Sequence, residues 1–181
     1  MKKIMILFIT LAMVVGCACS MDKASYAVEE YLNKYKNQDE TILTELENLV
    51  KEEGLKEEHS EKYKEVMIKQ YKDISYKIIN ETYNGDEATV TTKITVYDLY
   101  SVQKEAEEYK NNHRDEFLDK NGNYDKESFL KYKLEQMKKN TKTIEYTIDF
   151  KVMKRDGKWV VEDVSTEDLE KIHGIYNYSN D

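Results

Sequence analysis

The chain has 181 residues, a formal net charge of −8 and two cysteines, Cys17 and Cys19. This acidic balance excludes a nucleic-acid-binding surface of the usual basic kind and disfavours electrostatic attachment to anionic lipid headgroups. Because both cysteines lie near the N-terminus, no disulfide can form within the region that follows them. That region has about 160 residues, which is enough for a hydrophobic core of its own.

The N-terminus has the pattern of an export signal. Lys2 and Lys3 precede an uncharged apolar run over residues 4–15. One alternative is an uncleaved membrane helix, but the run is shorter than the ~20 residues that cross a bilayer. A second alternative is an ordinary signal peptide in which the following cysteine is incidental.

The residues that end the apolar run are VVGC, with the cysteine at position 17. They resemble the signal of bacterial lipoproteins, in which small residues precede a cysteine that is lipidated and becomes the new N-terminus. The resemblance implies a signal peptide over residues 1–16, acyl chains such as palmitate on Cys17, and a tether over residues 17–23. Cys19 is a less suitable acceptor, because Ala18 and Cys17 before it fit the pattern less well.

The resemblance also predicts where the protein is located. Removal of residues 1–16 leaves 26 basic against 36 acidic residues, a net charge of −10. An acidic domain of this kind needs its lipid to stay on a membrane, since its net negative charge repels anionic headgroups. We therefore expect a lipid-anchored protein on the extracytoplasmic face of the cell membrane.

Three apolar stripes with helical spacing follow the tether. They predict helices over residues 24–35, 42–50 and 56–73, with Asp39 as the N-cap of the second helix and Gly54 at its end. The predicted inward residues are Ala24, Ala27, Val28, Tyr31, Leu32, Tyr35, Ile42, Leu43, Leu46, Leu49, Val50, Tyr63, Val66, Met67, Gln70 and Tyr71.

Apolar and polar residues then alternate in four segments, which predicts β-strands. The predicted strands are residues 74–82, 88–96, 144–152 and 159–164. Turns that contain Gly85 and Gly157 join them in two hairpins. Since one hairpin cannot stand alone in water, we expect a single four-stranded antiparallel sheet with helices on one face, an α+β fold.

A helical segment over residues 102–140 separates the two hairpins. Its first stripe is Val102, Ala106, Tyr109, His113 and Phe117, and its second is Leu130, Leu134 and Met137. Such narrow stripes predict a helical hairpin rather than a second core. A last short helix begins after Ser165, which with Asp168 forms a variant capping box.

The N-terminal helices, the later strands and the closing GKWVVEDVS resemble small bacterial lipoproteins with an NTF2-like, cystatin-like cone. The resemblance covers residues 24–100 and 142–165 and implies one NTF2-like domain over residues 24–176, followed by a tail over residues 177–181. Residues 102–140 depart from it, because the family has a short connection there. The departure predicts a helical insertion, which we interpret as the partner-binding element.

Several residues are candidates for chemistry. The turn from Asp119 to Asp125 spaces oxygen side chains as a calcium loop does, but Tyr124 and Leu130 occupy the glycine and glutamate positions of that motif. A polar turn with Asp125 as a helix N-cap is the alternative. The sequence therefore predicts no metal site.

Two further candidates concern the interior of the cone. His113 on an inward stripe would suit a general base, or else a half-buried structural histidine. Aromatic side chains of the strands could line a ligand pocket or pack as ordinary core. These aromatic residues are Tyr76, Tyr97, Tyr146 and Trp159.

We find no set of catalytic or cofactor-binding residues. The sequence therefore predicts a non-enzymatic envelope lipoprotein that binds a protein or a small ligand and uses no cofactor. The alternative is an NTF2-like enzyme with an acid–base site inside the cone, with His113 as its base.

Overall fold

The fold is built on an antiparallel sheet of four strands, β1 Ser75–Asn84, β2 Glu87–Tyr97, β3 Thr143–Arg155 and β4 Lys158–Val161, in the order β1-β2-β3-β4. It is seen in a computed structural model that describes residues 23–52 and 54–178. The predicted signal peptide, Cys17, Cys19, most of the tether and residues 179–181 lie outside the described residues. This single antiparallel sheet in an α+β fold confirms the predicted pairing of the two hairpins across the helical segment.

Six α-helices lie within the described residues. They are α1 Ala24–Lys36, α2 Glu40–Glu52, α3 Glu57–Asp73, α4 Leu99–Asn112, α5 Lys126–Lys139 and α6 Thr166–His173, with a 3₁₀ turn at Arg114–Phe117. Asp39 caps α2 by accepting a 3.0 Å hydrogen bond from the Thr41 amide. Ser165 accepts a 3.1 Å bond from the Asp168 amide at the start of α6. Both predicted caps are therefore confirmed.

The core lies between the inner face of the sheet and the helices. Along β2 every second residue is buried, so the predicted period-two pattern holds over the whole strand. Val28 and Leu32 of α1 are fully buried against this face. Burial of such side chains stabilises the fold by roughly 2 kcal/mol each.

The two hairpin turns lie at the same end of the sheet. Glu87 at the start of β2 pairs with Met153 near the end of β3, and the Lys154 amide donates a 2.7 Å hydrogen bond to the Asp86 carbonyl. At the opposite end Tyr97 pairs with Thr143. We call these the turn end and the far end of the sheet; β2 sets them roughly 35 Å apart.

The edge strands differ from the prediction. A bulge at Ile79 shifts the register of β1, and this side chain is 51% exposed. Beyond the bulge the inward positions are Glu81 and Tyr83, which pair with Val90 and Ala88. β4 ends at Val161 instead of residue 164, because the chain leaves the sheet to reach the start of α6.

Candidate functional site

The helices α4 and α5 leave and rejoin the sheet at its far end. The Asp98 amide donates a 3.0 Å hydrogen bond to the Lys142 carbonyl, which closes the base of the segment. The side chain of Asn140 ties the same base together, since its amide group donates to the carbonyl oxygens of Asp98 and Lys142 at 3.4 and 3.1 Å. We call α4, the 3₁₀ turn and α5 together the helical pair.

The base of the helical pair is part of the main core. Val102, Leu134 and Met137 are at most 6% exposed and pack in the same cluster as the sheet residues. Farther along the pair, Ala106, Phe117 and Phe129 form a small separate cluster. The apolar residues of the predicted stripes are therefore buried in two places, the main core and this small cluster.

His113 does not lie on the inward face. α4 ends at Asn112, so His113 is the residue that follows the helix and its side chain is exposed. Its ring stacks on Tyr109 with centroids 4.0 Å apart, and Tyr109 stacks in turn on Tyr132 at 4.9 Å. The interpretation of His113 as a base inside the cone is wrong, because the helix stops before the stripe reaches it.

The surface of the helical pair has two clefts. One has a volume of about 420 Å³ and runs between α4 and α5 beside Tyr109 and Tyr132. The other has a volume of about 320 Å³ and is lined by Lys110, Asn111, Arg114 and Tyr124. Tyr124 is 44% exposed. We call this second cleft, with its cations and exposed ring, the tip cleft.

The turn from Asp119 to Asp125 uses its carboxylates for backbone hydrogen bonds. Asp119 Oδ1 accepts from the amides of Asn121 and Asn123 at 2.8 and 2.9 Å, which holds the pKa of Asp119 below its usual value. Asp125 Oδ1 accepts from the amides of Glu127 and Ser128 and caps α5. Within residues 23–52 and 54–178, no group of three or more His, Cys, Asp or Glu side chains is arranged to hold a metal ion.

A hydrogen bond links the helical pair to α3. His59 is 5% exposed, and its Nε2 lies 2.8 Å from Glu127 Oε2 in the first turn of α5. Lys56 approaches the same carboxylate at 3.3 Å. The sequence does not indicate this contact, because the partners are 68 residues apart and the start of α3 has the many charges of a solvated surface.

The strand aromatics do not converge on a pocket. Tyr76 and Tyr146 flank Ile94 in register on the inner face. Tyr97 instead donates a 2.9 Å hydrogen bond to Asp73, and Trp159 packs against Tyr83 near the turn end. The four side chains are thus spread over both ends of the sheet, as core and cross-strand packing requires.

A buried aromatic cluster fills the space between α1, α3 and α6. Tyr35 and Tyr71 are 2% exposed, their rings meet edge to face at 5.1 Å, and the His173 ring lies 5.5 Å from Tyr71. The Tyr31 and Tyr35 hydroxyls are 3.2 Å apart. The interior at this position is therefore packed with side chains.

Burial of His173 in this cluster predicts that the stability of the protein depends on pH. Burial lowers the pKa of His173 from its ordinary 6.5 to about 4. As the pH falls from 7 to 5, the unfolded chain takes up a proton that the folded chain does not, so the free energy of unfolding should fall by at most about 2 kcal/mol. His173→Phe should remove this loss in urea denaturation at the two pH values. His113→Asn, at an exposed ring, should retain it, and an unchanged loss in His173→Phe would contradict the assignment.

The start of α1 is held by side chains of β1. The Ala24 amide donates to the Tyr83 hydroxyl at 3.1 Å, and the Ser25 amide donates to Glu81 Oε2 at 3.0 Å. Tyr83 also donates to Glu81 Oε2 at 2.5 Å. Burial raises the pKa of Glu81, but these hydrogen bonds outweigh it and leave the pKa lowered. Lys23 at the N-cap provides no side-chain cap, so β1 supplies the missing acceptors.

Comparison with known proteins gives one informative likeness. No family model matches the chain, and no curated protein matches it. Its fold is similar to that of YcdA, a provisionally assigned lipoprotein of Bacillus subtilis subsp. subtilis strain 168, with a TM-score of 0.51 and 13% sequence identity. The match covers 87% of this chain and 57% of YcdA, so the chain spans little more than half the length of that protein. At this identity the likeness shows the fold alone.

No helix within residues 23–52 and 54–178 has both the length and the apolar character needed to cross a bilayer.

Proposed function

We propose that the protein is a lipoprotein, anchored through Cys17 on the extracytoplasmic face of the cell membrane, that presents a non-enzymatic binding domain. The observation that carries the anchor is the sequence VVGC after the apolar run. The similarity of the fold to YcdA supports it, since that protein is assigned, provisionally, to the lipoproteins. Two acyl chains give stable attachment where one does not.

The anchor is tested by cell fractionation. Cys17→Ser should abolish incorporation of labelled palmitate and release the protein from the membrane fraction, because the acidic domain has no other means of firm attachment. Cys19→Ser is the matched control and should remain in the membrane fraction. A Cys17→Ser protein that stays with membranes after a high-salt wash would contradict the assignment.

We also propose that the domain has an NTF2-like fold. The helices over one face of a four-stranded antiparallel sheet support it. In this interpretation the helical pair is an insertion into the family scaffold. The inner face of the sheet is packed with side chains, since Val90, Ile94 and Ile148 are at most 1% exposed.

The packed interior favours a binding surface over an interior site. The enzyme alternative had His113 as its best candidate base inside the cone, and that ring is exposed on the helical pair. The helical pair has the exposed ring of Tyr124, the exposed cation of Arg114 and two clefts on its surface. Aromatic and arginine side chains are the residues that most often dominate protein–protein binding. The partner in this proposal is an envelope protein that contacts the tip cleft.

The binding role is tested by cross-linking in intact cells. An Arg114→Ala/Tyr124→Ala variant should lose an envelope protein that the native chain captures. The matched control is Lys77→Ala/Tyr26→Ala, which removes a cation and a tyrosine from exposed positions outside the helical pair. If the tip variant retains every partner, or if both variants lose the same partner, the tip cleft is not the binding surface.

A further inference from the structure

The chain enters the folded domain at the turn end of the sheet. The first two amides of α1 are held by Tyr83 and Glu81, which lie next to the β1–β2 turn. Tyr83 pairs with Ala88, near the start of β2. The last described residue before α1, Lys23, is therefore fixed beside the two hairpin turns.

The distance from this point to the proposed lipid anchor is short. Six peptide units separate Lys23 from Cys17, and a fully extended chain of that length spans at most about 21 Å. The far end of the sheet lies roughly 35 Å beyond the turn end. A bilayer that holds Cys17 therefore lies within about 21 Å of the turn end, whereas the far end can be much farther from it.

The chemistry of the turn end suits a membrane surface. The turn of the β3–β4 hairpin, residues 154–158, carries Lys154, Arg155 and Lys158 with one acidic residue, Asp156, and Arg155 Nη2 also lies 4.0 Å from Glu162 Oε1. Arg155 and Lys158 are exposed. The other turn carries Asp86 and Glu87, so the basic surface is displaced toward the β4 side.

Two aromatic rings accompany these cations. Tyr83 is 47% exposed, and its ring meets Trp159 edge to face with centroids 5.6 Å apart. Lys154 Nζ lies 5.4 Å from the centre of the Trp159 ring. Tryptophan and tyrosine favour the level of the lipid headgroups, and lysine and arginine are attracted to anionic ones.

We infer that the turn end is the membrane-facing surface of the domain, with the β3–β4 hairpin in contact with anionic phospholipid headgroups. This inference rests on the proposed lipid anchor at Cys17. In this orientation the base of the helical pair, which joins the sheet at the far end, lies at the end of the sheet away from the bilayer. The lipid and the hairpin together orient the domain.

The test uses Trp159, the single tryptophan of the chain. The full chain is produced in cells, extracted from the membrane fraction and reconstituted in phosphatidylcholine vesicles that contain phosphatidylglycerol and a lipid with a nitroxide on its headgroup. We expect the nitroxide to quench most of the Trp159 fluorescence. The reference is a Trp159→Phe/Thr143→Trp variant, since Thr143 is exposed at the far end. Its fluorescence should change little.

The outcomes separate the two proposals. Protein that floats with the vesicles but shows unquenched Trp159, or quenching as strong in the Thr143→Trp variant, overturns the orientation and leaves the anchor intact. Protein that does not float overturns the anchor and the orientation with it. Arg155→Glu/Lys158→Glu should float and lose quenching. Lys77→Glu/Lys93→Glu, with the same charge change on the outer face of the sheet, should be quenched like the native chain.

Discussion

Replacement of Gly174 by alanine should destabilise the protein more than the same replacement at Gly54, Gly85, Gly122 or Gly157. Gly174 ends α6 with φ +72°, a conformation that costs a residue with a side chain about 1–3 kcal/mol. A Cβ atom there would lie 2.1 Å from the Tyr97 carbonyl oxygen and 2.4 Å from Gln70 Nε2. Strain and overlap together should lower the free energy of unfolding by about 4 kcal/mol in urea denaturation.

Neither neighbour can easily move away. Gln70 is 1% exposed, and its Oε1 accepts a 2.9 Å hydrogen bond from the Tyr97 amide. The Gly174 carbonyl accepts a 2.9 Å bond from the Tyr100 amide in the first turn of α4. Gly85→Ala is the matched control, because φ is +64° and no atom lies within 4 Å of the added group. It should cost only the strain, about 1 kcal/mol; equal losses in the two variants would contradict the packing argument.

Deletion of the helical pair should have the second large effect. A short Gly/Ser loop in place of residues 102–140 removes Val102, Leu134 and Met137 from the main core. Loss of each large buried side chain costs about 2–5 kcal/mol, and whole domains have only about 5–15 kcal/mol of stability. We therefore expect the variant to lose its cooperative unfolding transition, as measured by circular dichroism against urea.

A Gly/Ser replacement of residues 118–124 is the matched control. It removes the turn that contains Asp119 but retains the buried base, the α5 cap at Asp125 and the His59–Glu127 contact. This variant should unfold cooperatively with a small loss of stability. A stable, cooperatively unfolding protein without residues 102–140 would show that the helical pair is an appendage rather than part of the core.

The sheet was predictable from the sequence because its signal is local and strong. β2 alternates without interruption, and Gly85 and Gly157 mark the two turns, so the sequence specifies both hairpins. The union of β2 with β3 also followed, since an unpaired edge needs a neighbour. The bulge at Ile79 did not follow, because an alternating pattern gives no indication of one extra residue.

The features of the candidate site depend on contacts between distant residues or on the end of a helix. His113 matched an inward stripe, yet α4 stops one residue before it, and no glycine or proline marks that end. The His59–Glu127 contact and the cap that Glu81 provides to α1 join segments 68 and 56 residues apart. Periodicity within one element contains no information on such pairs, whereas Asp125 was identifiable as a cap from its own turn.

We propose that Cys17 is the lipidated N-terminus of the mature protein, and mass spectrometry of the N-terminal peptide tests this directly on protein extracted from the membrane fraction. We expect a peptide that begins at Cys17 and carries a diacylglyceryl group on its sulfur. A peptide that begins at Met1, or one that contains Cys17 with a free thiol, would show that Cys17 is not the anchor.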